Sequence, residues 1–418
     1  MLVNQNKNIL FLTRPWNHAF FVKLSGQMTC EPWFLKENSL EKSGDDFYCS
    51  DLKENDIDEI IFCCRLLRIL SRDEADLLIR VSYANAHKKL TSVKPDVVIS
   101  LTVDNYHLDI FARICKKLNV KFLGLCNCPF PGFIRITERG EATISQLGPD
   151  ARFINDFYES KKRPAHFIEA SKTKVWLRGF NYWLRKVYYS MLSLFGDVSY
   201  HTQVNILWHK RGKVGVLRET RSSFDEKKII ALLPLQYTPE CTIDYWAPVA
   251  PSNSYEDFLQ NLIRANKDVT FIVKEHPMYD GQRISDFDTF LTQAQNCEVV
   301  NTGVSTYELM NASDVSATIT GTVALESIFS NKPTWLLTST MPYYFDGCEV
   351  EPGHNGIGHI VNPSEKNLKI VLANLRGMML PGAISLKRRF LSYGWDSQGL
   401  DFLAISLNTY IEGLFRNE

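Results

Sequence analysis

The chain predicts an α/β protein with two Rossmann-like parallel-sheet domains. Three observations carry this expectation: short apolar runs of buried-strand type, amphipathic stretches between them, and recurrence of that alternation in both halves of the 418 residues. In the first half, 8–13 (NILFLT) reads as a strand, and 73–90 as a helix with Ala75, Leu77, Leu78, Val81 and Ala84 on related faces. Residues 96–101 (DVVISL) follow as a strand, 108–118 as a helix and 121–125 (KFLGL) as the next strand. A strand, helix and strand in about thirty residues form a βαβ unit, which requires a parallel sheet. The second half repeats this, with strands at 228–233, 269–274, 314–320 and 334–338 and helices at 255–266, 284–294, 304–312 and 323–331. The boundaries expected are a domain over 1–150, a helical connector over 151–226 and a domain over 227–395. A last helix over 396–418 can cross back to the first domain.

Composition narrows the class. Forty-seven Lys and Arg balance 47 Asp and Glu, and 45% of residues are hydrophobic, which excludes a disordered chain and argues against a dedicated nucleic-acid binder. The zero sum hides segregation. Residues 41–60 hold eight acids against Lys42 and Lys53, whereas 161–221 hold thirteen Lys and Arg against Glu169, Asp197 and Glu219. The ten cysteines form no CxxC pair and mostly sit in apolar runs, as reduced cysteines used for packing do. The first sixteen residues hold too short an apolar stretch for a signal peptide, and no run approaches the ~18 apolar residues of a spanning helix. A cytoplasmic protein is expected, with a place at the inner face of the cytoplasmic membrane left open.

Ligands of such sheets bind outside the carboxyl ends of the strands, so the candidate residues lie there. Lys274-Glu275-His276-Pro277 ends the strand VTFIVK, bringing a cation and an imidazole to the edge; His276 can bond a phosphate oxygen or protonate a leaving phosphate. Thr320-Gly321-Thr322 joins a strand to the helix TVALESIFS; Gly321 permits close approach, and Thr322 with the first helical amides can bind an anion. Glu326, one turn on, can accept from a ribose diol; an N-cap followed by a solvated glutamate fits the same pattern. Gln236 opens the loop after KIIALL, and Gln236 or Glu240 can contact a sugar. In the first half, Glu138, in Thr137-Glu138-Arg139-Gly140-Glu141, can serve as general base on an acceptor hydroxyl. Asp104 and His107 form another pair at a sheet edge, with His107 read as opening the following helix.

Other signals are weaker. Asp56-Ile57-Asp58 and Asp286-Phe287-Asp288 spell DxD but fall in an acidic run and a helical pattern, and both read as solvated. His354 and His359 lie on a glycine-rich loop without further zinc ligands, so no metal is expected. The connector's Trp176, Phe180, Trp183, Tyr188, Tyr189 and Phe195, with Arg178, Arg185 and Lys186, fit an interfacial helix on anionic lipid or a helix packed between domains. The packed reading is slightly favoured, although Lys161, Lys162, Arg163, Lys172 and Lys174 just before it suit a membrane.

The succession Glu-x-Gly (Glu138–Gly140), Pro234-Leu235-Gln236, Lys274-x-His276-Pro277, then Thr320-Gly321-Thr322-Val323-Ala324-Leu325-Glu326-Ser327 and Asn331-Lys332-Pro333 resembles bacterial capsule polysaccharide synthesis proteins. That family includes Kdo transferases, and its motif logic is shared with bacterial sialyltransferases. The resemblance is strongest over about 228–345. It implies a GT-B-like fold with a central cleft and a nucleotide-activated donor, often a CMP-linked ulosonic acid. His276 and Pro277 would meet the donor phosphate, Thr320 and Thr322 would complete the cradle, and Glu138 would face the acceptor. The motif's acidic pair is here Phe130-Pro131, ahead of Gly132-Phe133-Ile134-Arg135, so Arg135 is retained as a substrate-binding candidate and Glu240 is the reserve carboxylate. Inversion or retention depends on that carboxylate's role.

The expectation is a metal- and cofactor-independent glycosyltransferase. It would move Kdo or a related acid from a CMP donor onto a surface glycan or its glycolipid precursor, with possible peripheral contact with anionic membrane. The alternatives are a CDP-alcohol-dependent polyol-phosphate transferase and a non-catalytic glycan-binding or assembly protein.

Overall fold

A computed structural model of the chain describes residues 7–14, 17–37, 51–68, 70–128, 130, 132–137, 154, 183–184, 187–188, 190–191, 214–215, 228–236, 241–246, 255–276, 283–300, 303–338, 342–384 and 399–416. Its two large sheets are parallel-dominated and flanked by helices, the α/β class expected. The first half runs β1 (Lys7–Thr13), α1 (His18–Ser25), β2 (Cys30–Lys36), α2 (Glu54–Cys63), α3 (Arg65–Arg68), α4 (Arg72–Val93), β3 (Val97–Leu101), α5 (Tyr106–Lys117), β4 (Lys121–Asn127) and β5 (Phe133–Thr137). Next come β6 (Val214–Gly215), β7 (Ile229–Pro234), α6 (Cys241–Asp244), α7 (Tyr255–Ala265), β8 (Val269–Lys274), β9 (Arg283–Ile284), α8 (Ser285–Gln293) and β10 (Cys297–Val300). The chain continues through α9 (Thr306–Asn311), β11 (Val315–Thr318), α10 (Val323–Phe329), β12 (Thr334–Leu336), β13 (Val350–Pro352) and β14 (His359–Val361). It ends with α11 (Glu365–Met378), β15 (Leu380–Pro381) and α12 (Gly399–Arg416).

The first sheet has the order β15-β5-β4-β3-β1-β2. Its four strands β4, β3, β1 and β2 are parallel, and β5 runs antiparallel to β4. The second sheet has the order β10-β8-β7-β11-β12-β14-β13, parallel from β10 to β12. β14 and β13 are added antiparallel to it. β6 and β9 form a separate antiparallel pair. The central strands β1, β3, β7 and β8 are apolar because helices cover both faces of the sheets, leaving no wet side for alternation.

Helix ends follow local chemistry. Ser71 opens α4 in a capping box, accepting from the Glu74 amide at 3.3 Å while Glu74 accepts from the Ser71 amide at 2.9 Å. Asn105 opens α5 by accepting from the Leu108 amide at 3.0 Å. His107 therefore lies inside the first turn, and its ring is buried. Helix α12 packs Leu403, Leu407, Tyr410 and Ile411 against Phe11 and Ile99 of the first sheet and Phe21 of α1. The return begins earlier than the last helix, because β15 pairs with β5. Gly382 makes this possible: its φ is +141°, and a Cβ there would lie 2.6 Å from the Leu403 Cβ.

The acidic run is not a solvated tail where it is described. Ile57 and Ile60 of α2 are buried, and its acids face bases on α4 and α5. Arg72 pairs with Glu54 and Asp58, Arg80 with Glu54, and Arg113 with Asp56 and Glu59. The first Asp-x-Asp motif is thus a latch, and the acids of α2 are offset within the first half. Each exposed pair contributes roughly 0–1 kcal/mol, so the network orients α2 more than it holds the fold together.

Asp51 joins the same face, accepting from the Tyr83 hydroxyl and lying 3.8 Å from the Lys117 Nζ. Burial pushes its pKa up, but the Tyr83 bond and the Lys117 charge outweigh this and the net direction is down. A carboxylate lowered on folding contributes stability above its unfolded pKa of about 3.9 and loses it as pH falls through the lowered value. Asp51→Asn should melt below the wild type at pH 6, and the gap should close as pH falls through the lowered carboxylate value. A gap independent of pH in thermal melts would contradict this.

Candidate functional site

A parallel sheet exposes a crevice where successive connections leave in opposite directions, because helices on the two faces part there. In the second sheet the chain goes from β7 to β8 and β10 on one side, then returns to β11 and β12 on the other. The switch point lies between β7 and β11. Gln236 follows β7, Lys274 ends β8 with His276 two residues on, and Thr320-Gly321-Thr322 follow β11. The described candidates of the second half thus share one edge on three neighbouring strands.

The edge is built by side-chain bonds. Gln236 Nε2 donates to Thr320 Oγ1 at 2.8 Å, closing the switch point, and Thr320 Oγ1 donates to the Thr242 carbonyl at 3.3 Å. The Gln236 amide donates to the Tyr255 hydroxyl at 2.8 Å, which fixes the loop from below. Lys274 is 2% exposed, and its Nζ donates to Thr306 Oγ1 at 2.9 Å at the start of α9. Glu275 turns back to accept from the His276 amide at 2.7 Å. Gly321 donates to Thr318 Oγ1 at 3.0 Å, and a Cβ on it would sit 2.6 Å from that oxygen. A larger residue here would have to displace the Thr318 hydroxyl that holds this strand-to-helix turn. Thr322 is the N-cap of α10, and Glu326 lies in its first turn, partly exposed; the amides of Ala324, Leu325 and Glu326 are already taken by the Gly321 and Thr322 carbonyls.

The first sheet has its own switch point, between β1 and β3. Arg14, just past β1, donates from Nη1 to Asp104 Oδ2 at 2.8 Å, and its Nη2 pairs with Asp104 Oδ1. Its Nε donates to Glu37 Oε2 at 2.8 Å, and Asn105 Nδ2 reaches the same oxygen at 2.9 Å. Burial lowers the pKa of this guanidinium, but the two carboxylates outweigh it and hold it raised, so the charge is fixed. Arg14, Glu37 and His18 were not singled out in the sequence. The available signal was their place: RPWNH follows the first strand, and Glu37 follows β2, a strand the pattern hid.

Arg135 does not join the phosphate edge. It lies in β5, 5% exposed, its guanidinium 4.0 Å from the centroid of the Trp246 ring and 5.4 Å from that of Tyr343. Burial pushes the Tyr343 phenol above its ordinary value. The arginine thus braces the first sheet against two aromatic rings of the second half. Phe130 and Phe133 extend the brace, packing with Leu336, Phe345 and Leu375. Glu138, Glu240 and Pro277 lie outside the described residues. β5 runs from the carboxyl edge back into the sheet, with Thr137 paired to Gly124 in the middle of β4.

Residues 241–246 join the two sheets. Thr242 bonds Thr320, Asp244 pairs with Arg68 at 3.2 Å, and Tyr245 packs into the core beneath α5. This turn of helix ties the donor-edge residue Thr320 to the first half of the chain.

Among the described residues, no group of three or more His, Cys, Asp or Glu can hold a metal ion. His354 meets the Trp335 ring edge-on at 4.8 Å, and His359 lies in β14. The described cysteines are free thiols, and burial pushes those of Cys128 and Cys297 up to about 12, as suits packing groups. No described helix is long and apolar enough to cross a membrane.

No curated protein matches the chain. Among solved structures it is similar to the Thermosulfurimonas dismutans KpsC, a beta Kdo 2,7 transferase, at 10% identity over 97% of this chain and 99% of that one, with a TM-score of 0.41. It is also similar to a Neisseria meningitidis UDP-GlcNAc 2-epimerase bound to UDP-GlcNAc, at 11% identity over 98% of this chain and 99% of that one, with a TM-score of 0.27. S. aureus MnaA with UDP matches at 13% identity over 89% of this chain and 92% of that one, with a TM-score of 0.26. The family match is more direct, and it covers the whole edge from Gln236 to Glu326: residues 197–376 of this chain match the capsule polysaccharide biosynthesis protein family.

Proposed function

We propose that the chain is a glycosyltransferase of surface polysaccharide synthesis, moving Kdo or a related ulosonic acid from a CMP donor onto a glycan or its lipid-linked precursor. One observation carries this: within the matched segment, Lys274, His276, Gln236 and Thr320–Thr322 come from three adjacent strand ends at a switch point. Such an edge suits a nucleotide-linked phosphate. Lys274 supplies positive charge, Thr322 supplies a hydroxyl donor, and His276 can protonate the leaving phosphate. Glu326 reaches the ribose, and neither metal nor cofactor is needed. The acceptor lies on the first-sheet side, where Glu138 is the carboxylate proposed by motif position.

Incubation with CMP-Kdo and a Kdo-terminated lipid-linked glycan should release CMP and extend the glycan, read by mass spectrometry. Transfer from a CDP-alcohol instead would make it a polyol-phosphate transferase. Glycan binding without any transfer would make it an assembly protein.

Peripheral membrane contact belongs to this reading. Trp183, Leu184, Tyr188 and Met191 are exposed, and their spacing places them on one side of a helical stretch. Trp183→Glu with Tyr188→Glu should reduce sedimentation with anionic phospholipid vesicles about tenfold or more, since each removes an interfacial ring and adds a repelled charge. Unchanged co-sedimentation would remove the membrane from the account.

A further inference from the structure

We infer that His18 is the general base that takes the proton from the acceptor hydroxyl. This rests on the reading of the second-sheet edge as the donor site and adds a residue that the motif resemblance does not contain. The first observation is a pair of hydrogen bonds that selects a tautomer. Thr13 Oγ1 lies 3.3 Å from the Leu35 carbonyl and 3.2 Å from His18 Nδ1. A threonine hydroxyl has one proton, and a carbonyl can only accept. That proton therefore goes to Leu35, and the oxygen's lone pair accepts from Nδ1–H. The neutral ring is then left with a bare lone pair on Nε2, the atom a base requires.

The second observation is place. His18 is the first residue of α1, immediately beyond β1, at the switch point where an acceptor can enter between helices. Its ring is held edge-on to Phe34 with centroids 5.5 Å apart, so the lone pair has a defined direction. The neighbouring Asp104 carboxylate is pinned by Arg14, yet its side chain is 34% exposed, leaving lone pairs to orient a polyhydroxylated acceptor. The third observation is that residues 241–246 tie the first half, through Arg68 and the packing of Tyr245, to Thr320 at the donor edge.

The step balances. The acceptor O–H bond breaks and its proton moves to His18 Nε2, while the oxygen's electron pair forms the bond to the donor's anomeric carbon. The bond from that carbon to the phosphate oxygen breaks, its pair leaving on the phosphate, which the Lys274 edge neutralises. Nε2 then returns its proton to solvent.

The test uses the full chain labelled with 15N-histidine, with His18→Gln identifying the resonances. Nδ1 should read as protonated and Nε2 as bare near neutral pH, and Thr13→Val should release that preference. The opposite tautomer in the wild type would overturn the proposal whatever the enzyme transfers. In parallel, His18→Gln and His18→Ala should lower kcat for transfer from CMP-Kdo by about 10²–10⁴-fold, the usual worth of a general base, while thermal stabilisation by CMP stays as in the wild type. Variants within threefold of wild-type kcat would overturn the role and leave the donor site standing. A wild type that neither binds CMP nor transfers would overturn the donor reading and this role with it.

Discussion

Lys274→Met should cut transfer by about two to three orders of magnitude without loosening the fold, the scale seen when one preorganised charge donor is removed from an active site. The ammonium is 2% exposed at the end of β8 and is held by Thr306. A buried cation is costly to desolvate, and a methionine of similar length removes that cost while filling the same space, so stability should be unchanged or slightly higher. Charge at a dry sheet edge acts on phosphate more strongly than charge in water, so its removal falls on the transition state in which phosphate leaves. The measurement is kcat/KM beside a thermal melt. A full-activity variant would show that Lys274 is a packing residue, and a variant that melts far below the wild type would make the kinetic loss uninformative about charge.

The second large effect is on stability. Arg135→Ala should cost about 2–4 kcal/mol, because the guanidinium fills the space between Trp246 and Tyr343 and its loss leaves a cavity where the two sheets meet. Arg135→Met should cost much less, within about 1 kcal/mol. It gives up cation–π contacts worth roughly 0.5–2 kcal/mol each but also relieves a buried cation, and keeps most of the volume. Denaturant melts of both variants decide this. Equal losses would mean that the charge matters more than the packing, and no loss in Arg135→Ala would mean that the brace is not stressed on unfolding.

Much of the fold was legible because it is local. Strands β1, β3, β4, β7, β8, β11 and β12 are apolar runs bounded by loops, and α4 carries apolar positions at helical spacing. The residues that were missed sit where local pattern is silent. β2 (CEPWFLK) is an edge strand with a mixed surface and tolerates Pro32, so it carries neither alternation nor a continuous apolar run. Missing it hid Glu37, and with it the charge cluster. β5 is buried along its length, but its antiparallel direction is set by pairing with β4, which no spacing in the sequence reports. Hence Arg135 was expected at a ligand and is found in an aromatic brace. The acids of α2 look solvated in sequence because their partners, Arg72, Arg80 and Arg113, lie on other helices. At the second-sheet edge Lys274, His276 and Thr320–Thr322 stand out in the sequence as strand-end residues. Their adjacency does not, since it follows from the strand order β8-β7-β11.

The central claim is that this edge holds the nucleotide of a CMP-linked donor, and thermal shifts of the full chain with CMP, UDP, CDP and GDP test it most directly. Ligand at a hundred times its Kd adds about 2.7 kcal/mol, well within reach of such a measurement. Stabilisation by CMP alone, lost in Lys274→Met, is the predicted result; stabilisation by UDP alone, or by none of the four, would contradict the account.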